Sequence, residues 1–203
     1  MKKITFLSVA LLFFTQTNTI SAQVASVKSI PKKTSVAPKS NVVKDDSFIG
    51  RYYELKTTYP ALTALYAEYA ATTIAKEKFM ERYNQIKASY PKLITVFANY
   101  AASEYALEEF IKRYYQIRDS YPLLTKIYGD YASSKKTLPD FMKRYYQIKD
   151  SAPALSDYFG QYAASDYDLP EFSKRYYAMK ASYPAMKDCY GEYAGSTNKL
   201  SNK

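Results

Sequence analysis

One residue pairing along this chain has the chemistry of recognition. Tyr53, Tyr115, Tyr146 and Tyr177 are each followed three residues later by a cation, Lys56, Arg118, Lys149 and Lys180, and Lys87 stands at the matching place after Asn84. Tyr and Arg are the side chains most enriched where proteins grip one another. Bond-making chemistry has far less to work with. The 203 residues include 24 Tyr but no His and a single Cys, so neither a Ser-His or Cys-His pair nor an imidazole-bound metal can be assembled. The acidic cluster Asp166, Asp168 and Glu171 contains Pro170, has no calcium-loop glycine, and reads as helix capping. No catalytic residue, metal ligand or cofactor is expected.

The spacing comes from an internal repeat. Phe48, Phe79, Phe110, Phe141 and Phe172 lie 31 residues apart. With each counted as position 1, position 4 is always Arg, 5 always Tyr, 13 always Pro, 22 always Tyr and 23 always Ala. The tyrosines above then occupy position 6 and the cations position 9. Apolar residues recur at 1, 5, 8 and 12 before the proline and at 15, 18, 19, 22 and 23 after it, which is one face of a helix each time. Proline lacks the amide hydrogen that a helix interior needs but suits a first turn. Each unit is therefore predicted to be a hairpin of two helices of about a dozen residues. Ser or Thr at position 11 (Thr58, Ser89, Ser120, Ser151, Ser182) is placed to cap the corner. Thr137 and Asp168, each before Leu-Pro-acid, mark helix starts, as does the Asp45-Asp46-Ser47 run.

A single 31-residue hairpin cannot enclose a core. The all-α chain is therefore expected to stack five helix-turn-helix units, 48–78, 79–109, 110–140, 141–171 and 172–202, as an α-solenoid. This way of building resembles tetratricopeptide arrays, whose period is 34. The last nine residues, GSTNKLSNK, are polar and are expected to fray. Position 20 (Ala67, Ala98, Gly129, Gly160, Gly191) predicts close backbone approach, to a neighbouring helix in preference to a ligand, because glycine within a helix costs up to about 1 kcal/mol relative to Ala. Position 21 (Glu68, Asn99, Asp130, Gln161, Glu192) carries mostly acceptors and is expected to pair with Arg of position 4 across the hairpin, while Lys at position 9 stays solvated. Tyrosines at positions 5, 12, 19 and 22 are expected to pack, and Cys189 is a small core hydrophobe. Position 6 either packs with position 2 against the adjacent unit or forms a ladder of exposed rings.

The start of the chain reads as a signal peptide over 1–22: Lys2 and Lys3, the apolar run Ile4 to Phe14, then small Ala22 before Gln23. That apolar run is too short for a bilayer span, which takes about 20 residues. Residues 23–44, with Pro31, Pro38, five lysines and no aromatic residue, have the composition of a disordered basic linker. The helical repeats occupy 45–203. Export would place the chain in the periplasm or outside the cell.

The function expected is that of a secreted or periplasmic, non-enzymatic scaffold. It would bind a protein or peptide through a Tyr/Arg/Lys-rich surface formed by Tyr53, Tyr115, Tyr146, Tyr177, Lys56, Lys87, Arg118, Lys149 and Lys180. The rival reading is a structural or envelope-associated protein that binds glycan or self-associates through its tyrosines. A net charge of +10 favours anionic partners modestly. Nucleic acid would suit alternating aromatic and basic residues, but export disfavours it.

Overall fold

The computed structural model describes residues 45–202. The expected signal peptide and linker lie outside them, as does Lys203. The described residues form ten α-helices and no strand: α1 (Phe48–Thr58), α2 (Tyr66–Ala71), α3 (Lys76–Ser89), α4 (Phe97–Ala102), α5 (Leu107–Ser120), α6 (Tyr128–Ser133), α7 (Leu138–Ser151), α8 (Phe159–Ala164), α9 (Leu169–Ser182) and α10 (Tyr190–Gly195). Each odd-numbered helix packs on the even-numbered helix that follows it. No described helix is long and apolar enough to cross a membrane.

The two helices of a pair are unequal, which corrects the expectation of two similar halves. The odd helices run to 11 or 14 residues and the even ones to six. The proline does not open the second helix directly. In the third unit Tyr121 leaves the helical conformation and donates its N–H to the Ile117 carbonyl, Leu124 donates to Tyr121, and Ile127 donates to Leu124. These one-turn steps pass through a short 3-10 segment (Thr125–Ile127) before α6 begins. The position-11 hydroxyls do not cap this corner either: Thr58 donates back to the Glu54 carbonyl, and no side chain caps an even helix. The starts of the outer helices follow the sequence signals. Ser47, Thr137 and Asp168 accept from the backbone N–H groups of Gly50, Asp140 and Glu171, which satisfies otherwise orphaned donors.

The arginines of position 4 end the even helices. They do not pair with position 21. Arg113 Nη2 donates to the carbonyls of Tyr131 (2.9 Å), Ser134 (2.8 Å) and Lys136 (2.8 Å). Arg175 does the same to Tyr193, Ser196 and Asn198. All five guanidinium groups also lie 4.2–4.3 Å from the ring centroid of the position-22 tyrosine. Unpaired carbonyls at a helix C-terminus are concentrated partial negative charge, and a planar five-donor fork satisfies several of them at once. A carboxylate at position 21 offers that fork nothing better.

The core is layered between units. Phe79, Phe110, Phe141 and Phe172 are fully buried, and each meets the position-22 tyrosine of the unit before it edge-on, at 5.2–5.4 Å between ring centroids. Phe48 makes the same contact with Tyr193, at 5.4 Å. The first unit therefore receives the last as its predecessor. The short helices pack on one another in the series α2, α4, α6, α8, α10, and α10 returns to α2. The arrangement is a closed ring, with the even helices inside and the odd helices outside.

The expected frayed tail forms the seam of that ring. Phe48 and Ile49 donate their N–H groups to the carbonyls of Lys199 (2.8 Å) and Leu200 (3.1 Å). Within the chain the equivalent bonds are ordinary helical ones, Phe79 to Ala75 and Phe110 to Ala106, so the seam continues the helical register across two segments that no peptide bond joins. Asn198, 9% exposed, donates to the carbonyls of Ala70 (2.7 Å) and Thr72 (3.2 Å). Asn202 reaches Asp45 at 2.7 Å.

Candidate functional site

Closure brings together five side chains from the inner helices. Position 21 supplies Glu68 from α2, Asn99 from α4, Asp130 from α6, Gln161 from α8 and Glu192 from α10. All five line one depression of about 590 Å³, whose rim is made by the C-terminal residues of the same helices, among them Ser103, Ser134 and Ser165. A second depression, of about 450 Å³, is lined by Asp157, Tyr158, Lys187 and Asp188 and shares Gln161 and Glu192 with the first. The position-21 side chains thus stand where the inner helices converge.

The glycines of position 20 make this convergence possible. A Cβ on Gly129 would strike the Asn99 amide, and one on Gly160 would strike the Asp130 carboxylate. The close approach read from the glycines is real: the position-21 side chain of the preceding unit passes over Gly129 and Gly160, and the Tyr158 ring passes over Gly191. The small residues at 20 and 23 on either side of position 21 were the sequence signal for an inner face.

Carboxylate oxygens of Glu68, Asp130 and Glu192 lie within 4.8 Å of one another. The amides hold two of them: Asn99 Nδ2 donates to Glu68 Oε1 and Gln161 Nε2 to Glu192 Oε1, both at 2.9 Å. Asp130 is 9% exposed, and no donor reaches its carboxylate among the described residues. Gln161 Oε1 is buried and accepts nothing. Burial, then mutual repulsion, pushes Glu68 and Asp130 well above the usual carboxylate range. Burial also raises Glu192, against the lowering effect of the Gln161 hydrogen bond. The axial cluster thus sets three carboxylates against two amides, while the one cation lining the depression, Lys135, is paired with Glu104.

The position-6 and position-9 residues lie on the opposite face of each unit, on the outer helices. Tyr53, Tyr146 and Tyr177 are 49%, 43% and 57% exposed, and Tyr115 is half-buried. Each ring sits edge-on against its position-5 neighbour at 5.1–5.3 Å. Lys56, Arg118 and Lys149 approach the faces of Tyr53, Tyr115 and Tyr146 at 5.5, 4.3 and 5.6 Å. Lys87 and Lys180 lie over the position-5 rings, Tyr83 and Tyr176. Packing against the preceding unit falls to position 2, where Met80 and Ile111 are buried in clusters with residues of the unit before.

Neither remaining candidate chemistry has a reactive setting. Cys189 is buried, and desolvation pushes its thiol up to about 12, so at neutral pH it is a protonated packing group. Asp168 is an N-cap, and Asp166 pairs with Lys136. Compared with family models, with curated proteins and with solved structures, the chain matches none, and its own geometry must carry the functional reading.

Proposed function

We propose that the chain is an exported, non-enzymatic binding scaffold that holds a protein or peptide partner on the outer row of tyrosines and cations. The observation that carries this reading is the exposure of Tyr53, Tyr146 and Tyr177 on helices whose other aromatic residues are turned inward. Each ring is braced by a neighbouring tyrosine, and three of the four are approached by a cation. Rings held in place lose less conformational freedom on binding, and amphipathic tyrosine can meet apolar and polar groups with one side chain. The partner best suited is a segment that alternates apolar side chains with carboxylates, which Lys56, Lys87, Arg118, Lys149 and Lys180 would meet. Export rests on the charged-then-apolar start of the sequence.

The test is capture of partners from envelope extract and spent medium by the wild-type chain and by a variant with Tyr53, Tyr115, Tyr146 and Tyr177 all changed to Ala. Any captured species is then titrated against both purified chains. The expected result is loss of binding with an unchanged circular dichroism spectrum. Equal binding by both chains would remove the outer row from the function, and concentration-dependent light scattering by the wild type alone would replace a foreign partner with self-association.

A further inference from the structure

We propose that the axial ring of Glu68, Asn99, Asp130, Gln161 and Glu192 is a binding site for a hard divalent cation, of which calcium fits best. Three carboxylates gather there, and the one cation that lines the same depression, Lys135, is already paired with Glu104. The neighbouring amides orient Glu68 and Glu192 but leave their charge in place. Among the described residues two acceptors then have no hydrogen-bond partner: the carboxylate of Asp130, a residue nine-tenths buried, and the buried Gln161 Oε1. Buried acceptors are nearly always satisfied in folded proteins, and a cation among the three carboxylates would give Asp130 its partner while neutralising the cluster.

The donor set selects the kind of ion. Every side chain offered is a carboxylate or amide oxygen, with no imidazole or thiolate, and such sets suit calcium, magnesium or manganese over zinc or copper. Coordination geometry narrows this further. Three oxygens within 4.8 Å of one another can be gathered within about 2.8 Å of one ion, and side chains carried on separate helices suit the flexible shell of calcium better than the strict octahedron that magnesium demands. Calcium takes six to eight oxygens in flexible geometry, and the depression above the cluster leaves room for water to complete the shell. Gly129 and Gly160 let Asn99 and Asp130 reach the axis. Nothing in this site uses the outer tyrosines, so it stands or falls independently of them.

The experiment is calorimetric titration of the chelator-stripped full chain with calcium chloride at neutral pH, and with magnesium chloride in parallel. Terbium serves as a luminescent stand-in sensitised by the chain's tyrosines. One site per chain is expected, with a Kd between about 1 μM and 1 mM and magnesium weaker by about tenfold or more. Asp130→Asn and Glu68→Gln keep side-chain shape and remove repulsion, so both should fold. Each should weaken calcium and terbium binding by about tenfold or more, while the four-tyrosine variant binds as wild type does. Binding should also release protons to the buffer. Absence of heat and of terbium luminescence in the folded wild type overturns the proposal, as does undiminished binding by both axial variants. Equal affinity for magnesium overturns the choice of calcium.

Discussion

The outer row and the axis use the same repeat in opposite ways. Outside, residue type recurs: Tyr at position 6 in four units and a cation at position 9 in all five. On the axis it changes at every step, from Glu to Asn, Asp, Gln and Glu. The rings and cations of positions 6 and 9 make their aromatic and cation–ring contacts within their own unit, so copying them is harmless. Side chains that converge on one point do meet, and five identical carboxylates there would repel without relief. Alternating amides with acids gives two carboxylates a donor each and leaves one acid for something else. On the axis, variation among otherwise faithful copies marks where like charges would otherwise converge.

Four changes probe that contrast. The largest effect is expected from truncation after Ser196, which removes Asn198, Lys199 and Leu200. Phe48 and Ile49 then lose their acceptors and the Phe48 face opens, at a cost on the order of 3–5 kcal/mol in urea denaturation. Gly160→Ala should come next, because its new Cβ collides with Asp130. The expected loss is about 1–3 kcal/mol, whereas an Ala at this position would be favoured in an unobstructed helix.

Asp130→Asn should act in the other direction. The three axial carboxyls have raised folded-state values. Between the unfolded carboxylate value, about 4, and those raised values the folded chain binds more protons, so stability falls as pH rises through that window and is flat below it. In chelator, Asp130→Asn should gain on the order of 1 kcal/mol at pH 7 and flatten the dependence of Tm on pH. A Tm that responds to pH identically in both chains would show that the acids do not sense one another. The smallest effect is expected outside: Tyr146→Ala or Tyr177→Ala should change stability by less than about 1 kcal/mol, and a larger loss would make these rings structural.

Much of the architecture was legible because it is local. The 31-residue period, the paired helices, the caps at Ser47, Thr137 and Asp168, and the buried faces of Phe79 and Tyr100 all follow from patterns within one unit. Closure was not legible, because it depends on the small rotation between units, which side-chain packing sets and sequence periodicity does not report. Without closure, GSTNKLSNK reads as a polar end and Glu68 as a residue far from Glu192. Arg113 was misassigned for a related reason: its partners are backbone carbonyls, which leave no trace in residue type. Basicity was also misleading about location. Seven lysines fall within residues 1–44, and residues 45–202 carry 21 basic and 19 acidic side chains, so the helical ring is close to electrically neutral and the outer cations act locally.

The seam has a mechanical consequence. It runs between α10 and α2, the helices that carry Glu192 and Glu68, and it is the one joint among the units that no covalent bond crosses. The molecule is in this sense a split washer whose slit ends at two opposed carboxylates. A ligand gripping both would act as a rivet through the slit, while the bare acids push its lips apart. Whatever occupies the axis thus sets how readily the hoop springs open, and Phe48, clasped edge-on by Tyr193, would be the first core ring to feel it.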